Sequence, residues 1–361
     1  MTTIINKDSL RHQVEAASGG KRTILYTAKG QPCFMNIIEK FDMSEINASW
    51  SGTHPAFIIN GEERAQIYVG AYQGVISDGE LISSPYAAPT ALGVYETYHR
   101  IARQNGAGWH AMTGAEWAAL ALQSLASGYI AQGNSFYGRA TEDEKSRGSR
   151  VDGLAPGVVT TPAFTYAGSG PASWRHNRLY NGVCDLSGNA WEVPYGVRFM
   201  YGEVQVLENA AVNSSLADYD NWKAIDVTTG ALITPTYTGT IAGGNYVATT
   251  SNSVRVGHNS LPSIFPYNNN FQDMGVTHGT ISAAALNVLR QYGLFVTDSS
   301  LQKGEFSYGV SGINIPVRGG DYKMTATTGN NSPGLFAANG RVTRDTTFSN
   351  LYAGRPCYYR P

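Results

Sequence analysis

From Ile130 onward the chain never holds one period for long. Short β-prone runs alternate with clusters of Gly, Asn, Ser and Pro, as in "TTGALITPTYTGTIAGGNYVATTSNSVRVGHNS" over 228–260. Each run is long enough for a strand and too short for a helix, and each cluster is a turn. Such a stretch cannot wind regularly through βαβ units, because no helical pattern recurs between successive strands. No internal repeat is visible. The spacing therefore predicts an α+β fold with long loops.

Helices are expected at three places. In "PTALGVYETYHRIARQ" (89–104), Leu92, Tyr95, Tyr98 or His99 and Ala102 fall at helical spacing, and Asn105-Gly106 supplies a stop. In "TGAEWAALALQSLASG", Thr113 stands three residues before Glu116, the spacing of a capping box, so an amphipathic helix is expected over 113–125. The third is "TISAAALNVLRQYG", 280–293. Near the N-terminus, Thr23 to Ala28 and Gln31 to Ile38 read as two β segments joined by a Gly turn. "INIPVRGGDY" reads as a strand ending near Gly319-Gly320, and "LYAGRPCYYRP" as a terminal strand.

Bulk chemistry narrows the function. Charged residues make up only 15% of the 361, with 41 Gly and 22 Tyr, which suits a rigid, loop-rich, neutral surface. Net charge is −1 with scattered Lys and Arg, so nucleic acid is not an expected partner. No apolar run resembles a signal peptide or spans a bilayer, so synthesis in a cytoplasm without membrane insertion is expected. Cys33, Cys184 and Cys357 are too few and too far apart for a disulfide framework or a zinc site.

The segment "NGVCDLSGNAWEV" (181–193) concentrates turn formers, two carboxylates and a tryptophan. Gly188 permits a tight turn and Trp191 can anchor a core. A looped backbone could bring Asp185 and Glu192 toward one point, either to cap turns by hydrogen bonds or to face a cation. His176 and His258 are lone histidines, and Asp218-Tyr219-Asp220-Asn221 lacks the Gly and distal Glu of a calcium-binding EF-hand loop.

Five segments in fixed order resemble the formylglycine-generating enzyme/sulfatase-modifying factor family: "HPAFIINGEERAQIYVGAYQG" (54–74), "GWHAMTGAEWAALAL" (108–122), "NGVCDLSGNAWEV", "VRGGDY" (317–322) and "AGRPCYY" (353–359). That family has a variant of the C-type lectin fold, shared by retroelement variable proteins and the phage major tropism determinant. The resemblance implies a C-type-lectin-like domain over 51–361 with a loop-rich insert at about 200–276. Residues 1–50 precede the matched region as a β segment, read either as an attachment to a virion or as an ordinary extra pair of strands. It also implies a calcium cage at Asp185, Gly188, Ala190 and Glu192; loop pinning by hydrogen bonds accounts for the same residues without an ion, and no cofactor is required.

Catalysis in that family depends on a cysteine pair between the "RGG" strand and the closing strand, where soft sulfur ligands hold copper. The matching stretch here, "KMTATTGNNSPGLFAANGRVTRDTTFSN" (323–350), contains no cysteine. The seven histidines offer no His-x3-His-x-Glu set of the related iron enzymes either, so a non-enzymatic role is expected. The same stretch corresponds to the receptor-binding segment of the retroelement variable proteins. Arg341, Arg344, Phe348, Asn350 and Tyr352 are the expected receptor contacts, because Arg and aromatic residues dominate binding hot spots. Leu335 and Phe336 are expected in the core.

The leading expectation is thus a phage tail fibre or tail tip protein, located in the virion. It would bind a glycan or protein receptor on the host surface, contact other tail proteins and form a homotrimer. The alternatives are a divergent oxidase pairing Cys184 with Cys357, and a purely structural virion component.

Overall fold

The computed structural model describes residues 8–91, 93–208, 221–240, 245–264, 269–297, 301–326, 331–347 and 351–361. Residues 22–39 form the expected hairpin: Arg22–Tyr26 pairs antiparallel with Pro32–Glu39, Ile24 opposite Phe34. The hairpin continues into a five-stranded sheet through Gln66–Gly70, Pro356–Tyr358 and Trp109–Ala111. A boundary at residue 50 therefore cuts across one ladder rather than between two bodies. A helix the sequence reading omitted, α1 (Ser9–Ser18), packs on Arg22–Tyr26 and ends at Gly19-Gly20, a C-terminal signal readable in the sequence.

Helix α2 (Tyr95–Gln104) begins six residues after the start of the expected 89–104 span, following an extended Val94. Leu92 lies outside the described residues. Helix α3 (Gly114–Ala126) starts where expected: the Thr113 hydroxyl accepts from Glu116 N at 3.1 Å, and the Glu116 carboxylate accepts from Thr113 N at 2.7 Å. It is not amphipathic. Ala118 to Leu122 are all fully buried, so the helix runs through the interior rather than along it. The Trp117 indole N–H donates to Leu335 O at 2.7 Å, fixing α3 against the larger sheet. Helix α4 (Ala283–Gln291) is capped by Ser282, whose hydroxyl accepts from Ala285 N. No helix among the described residues is long and apolar enough to cross a membrane.

The larger sheet has thirteen strands among the described residues. At its centre Gly334–Thr343 lies parallel to Glu305–Tyr308 and antiparallel to Ile313–Gly319, which continues to Val197–Met200 and Glu203–Leu207. Residues 334–343 are a strand because "GLFAANG" is small and apolar enough to be buried on both faces. A Cβ on Gly340 would stand 2.4 Å from the Phe199 ring, so only glycine lets these strands approach. The region expected as a loop-rich insert contributes five short strands to the larger sheet, Trp222–Ile225, Leu232–Ile233, Arg255–Val256, Ser263–Ile264 and Val276–His278, joined by longer irregular stretches among the described residues. Alternation was obscured there by buried polar pairs such as Glu203 and Arg255, 3.1 Å apart and almost fully enclosed. One hydrophobic cluster runs from Phe57 and Ile67 through Trp117 and Leu120 to Phe199, Phe271 and Phe336, so both sheets and α3 share a core.

Candidate functional site

Residues 185–192 form a buried polar knot between the two sheets. Asp185, Gly188 and Asn189 all have left-handed backbone, at φ 60°, 70° and 66°, which Asp, Asn and Gly tolerate best. At Gly188 the constraint is doubled, since a Cβ would stand 2.3 Å from Asn134 O. The Asn189 amide donates to Gln73 Oε1 and Thr165 O, while its oxygen accepts from Thr165 N and Asn134. Trp191 is buried as expected and opens the short strand Trp191–Glu192, which pairs with Ile313–Gly319 and Tyr352–Ala353.

The two carboxylates of the knot end in different environments. Glu192 forms a two-pronged ion pair with Arg355, Nε to Oε2 at 2.8 Å and Nη2 to Oε1, both side chains almost fully enclosed. Arg355 also donates to Gly70 O at 2.7 Å and Cys184 O at 2.9 Å. Asp185 accepts from Gly168 N at 2.7 Å through Oδ2, while its buried Oδ1 has no partner among the described residues. Burial raises the Asp185 pKa to about 6, although the Gly168 N–H and the nearby guanidiniums of Arg355 and Arg175 oppose that rise.

A calcium ion takes about six to eight oxygen ligands. Of the four residues that the resemblance assigns to a cage, the carbonyls of Asp185 and Ala190 each accept from Gln73 Nε2 at 3.1 Å, and Glu192 is held by Arg355. Among the described residues the Asp185 Oδ1 atom and the Gly188 carbonyl are left over, two oxygens where calcium takes about six or more. An amide and a guanidinium of the chain itself stand where a cation would draw its ligands, and the donor set does not fit calcium. Gln73 in "AYQG" and Arg355 in "AGRPC" complete the knot, and no local spacing announces either role.

The three thiols are free, buried and in different clusters: Cys33 with Met35 and Trp109, Cys184 with Ala71 and Ala167, Cys357 in the main core. Cys357 lies with His110 and Glu116, one ligand-type atom from each within 4.8 Å of the others. The His110 Nε2 to Glu116 Oε1 distance is 2.9 Å, a hydrogen bond, whereas ligands sharing one tetrahedral zinc stand roughly 3.3 Å apart or more. Burial lowers the His110 pKa, but the Glu116 carboxylate outweighs it and the net shift is upward. Burial and then Glu116 hold the Cys357 thiol well above its ordinary value, away from the reactive thiolate.

The expected receptor residues divide. Arg341 and Thr343 are exposed on either side of buried Val342, the alternation of a strand end. Arg344 lies beside Asp345, Nε to carboxylate 3.4 Å, in a cleft of about 300 Å³ shared with Tyr201, Ser311 and Thr343. Turns after Val197–Met200 and before Ile313–Gly319 build its other walls. A second cleft of about 300 Å³, lined by Ile130, Gln132, Ser187, Lys303, Ala326 and Pro333, borders the start of the same strand. Tyr352 is not part of either cleft: it lies opposite Trp191 in parallel register and packs on that cluster, half-buried. Leu335 and Phe336 are core, as expected, and Tyr322 is buried as well. Phe348 and Asn350 lie outside the described residues. No protein-family model and no curated protein matches the chain.

Proposed function

We propose that this chain is a phage virion protein, of the tail fibre or tail tip, whose C-type-lectin-like domain binds a host-surface receptor as a homotrimer. The observation that carries this reading is the pair of clefts bordering Gly334–Thr343, one at each end of a strand locked into the core. Groups held at the ends of rigid strands lose little conformational freedom on contact, so hydroxyl, charged and amide side chains there serve recognition well. The ordered resemblance of the five motifs supports the lectin-type scaffold, and the lack of a cysteine in 323–350 favours recognition over oxidation.

The test is binding of purified protein to host cells and competition with phage adsorption. Thr343→Ala, Arg344→Ala and Asp345→Ala combined with Gln132→Ala and Lys303→Ala should abolish both while the melting temperature holds. If the wild-type protein neither binds cells nor competes, the receptor role is lost and a structural role in the particle replaces it.

A further inference from the structure

We infer that the groove between the N-terminal hairpin, α3 and the 176–181 loop binds a neutral saccharide. It encloses about 270 Å³, lined by Lys21, Ile37 and Glu39 from the hairpin, Gln123 from α3, and His176 and Leu179 from the loop. This site shares no residue with the clefts beside Gly334–Thr343, and the inference does not rest on the tail-protein reading.

The groove wall is fixed by its own amides. Asn36 Nδ2 donates to Asn181 O at 2.5 Å, Asn177 Nδ2 to Asn181 Oδ1 at 3.1 Å, and Asn181 Nδ2 to Ser18 O at 3.1 Å. Two groups remain uncommitted. The Gln123 side chain, half-buried on α3, bonds to none of the described residues and offers both a donor and an acceptor. His176 accepts from Val183 N through Nδ1 at 2.9 Å, and burial lowers its pKa to about 4. At neutral pH its single proton therefore sits on Nε2. That N–H meets no described partner and is not sealed from solvent, so a groove-lining ring that is only 5% exposed keeps one donor free.

Charge and apolar surface decide the ligand class. Lys21 and Glu39 pair at 3.3 Å on the rim, and with His176 neutral the lining carries no net charge. Arg178 of the same loop stands over the Tyr129 ring and does not line the groove. Beside the polar groups, Leu179 is 58% exposed and the adjacent Tyr180 70%, its ring held by Arg175. An anion finds no uncompensated cation here, and an apolar peptide would leave the Gln123 amide and His176 N–H unpaired. A sugar presents hydroxyls that donate and accept, beside a C–H face that covers Leu179.

The experiment is saturation-transfer NMR on the full chain. The probes are the methyl glycosides of glucose, galactose, mannose and N-acetylglucosamine, with N-acetylneuraminic acid and glucose 6-phosphate as anionic probes. At least one neutral glycoside should bind, with Kd on the order of 1 mM. Gln123→Ala should weaken it at least about tenfold, and Leu179→Ser should weaken it as well. Arg344→Ala, which alters the sheet-end cleft, should leave it unchanged. His176→Phe removes the donor; if that variant misfolds, Gln123→Ala and Leu179→Ser, at less buried positions, carry the test. Binding of the anionic probes alone, no binding of any neutral glycoside, or wild-type affinity in both Gln123→Ala and Leu179→Ser would overturn the proposal.

Discussion

In the knot at 185–192, Asn189 is bonded at both ends of its amide, Gln73 bridges two carbonyls, and Glu192 is clasped by Arg355. At 343–345, Thr343 bonds to Thr346, Arg344 leans on its neighbour Asp345, and the rest of each side chain meets solvent in a cleft. Both stretches are polar, and in sequence both pass for sites. The difference is where the polar groups find partners. A buried group left unpaired costs stability, so the knot consumes nearly all its bonding capacity holding two sheets together, whereas groups at a strand end can leave theirs to solvent.

The sharpest way to break this contrast is Arg355→Ala. Removing one partner of a buried ion pair costs about 3–5 kcal/mol, and here the carbonyls of Gly70 and Cys184 lose their donor too. Chemical denaturation should show the variant largely unfolded; a stable, wild-type-like midpoint would remove the knot from the framework. Trp191→Ala comes next, at about 3–5 kcal/mol for a large-to-small change in a packed cluster, read from the same curves.

Asp185→Asn tests the single loose atom of the knot, and its sign is opposite. With the folded pKa near 6 against 3.8 for the free side chain, the native state binds the extra proton between those values. Wild-type stability should therefore be greatest below pH 3.8 as far as this group is concerned, fall as pH rises toward 6, and level off above. Asparagine carries no charge to bury and tolerates φ 60°, so the variant should gain about 1–3 kcal/mol at pH 8 and lose that part of the slope. An unchanged pH profile would sink this account. A calcium-dependent rise in melting temperature seen in the wild type and absent from the variant would restore the cage.

The smallest effects belong to the other region. Thr343→Ala, Arg344→Ala and Asp345→Ala should each shift stability by no more than about 0.5 kcal/mol in thermal melts. A loss of several kcal/mol from any of them would place that residue in the framework alongside the knot.

Much of this was legible in the sequence where the signal is local. The Thr113/Glu116 capping box set the start of α3, the apolar run "ISAAALNVL" set α4, and the Gly turn between two apolar runs set the hairpin of residues 22–39. Trp191 read as an anchor because a large aromatic beside Gly-Asn turn formers has few other uses. The reading failed where environment overrides local pattern. "GLFAANG" looks like loop by composition and is a central strand, because the glycines and alanines fit between close neighbours that local composition does not reveal.

What the chain by itself determined is the α+β class, the helices with caps, and the existence of a polar loop that must fold back on itself. Tertiary structure alone decided what that loop does. Asp185 and Glu192 are seven positions apart, and spacing treats them alike; Glu192 is clasped by Arg355 from the far C-terminal strand, whereas Asp185 accepts only a backbone N–H among the described residues. A carboxylate becomes a ligand, an ion-pair partner or a strained buried acid according to what stands opposite it. For Glu192 that partner lies 163 residues away in the chain, beyond the reach of any local pattern.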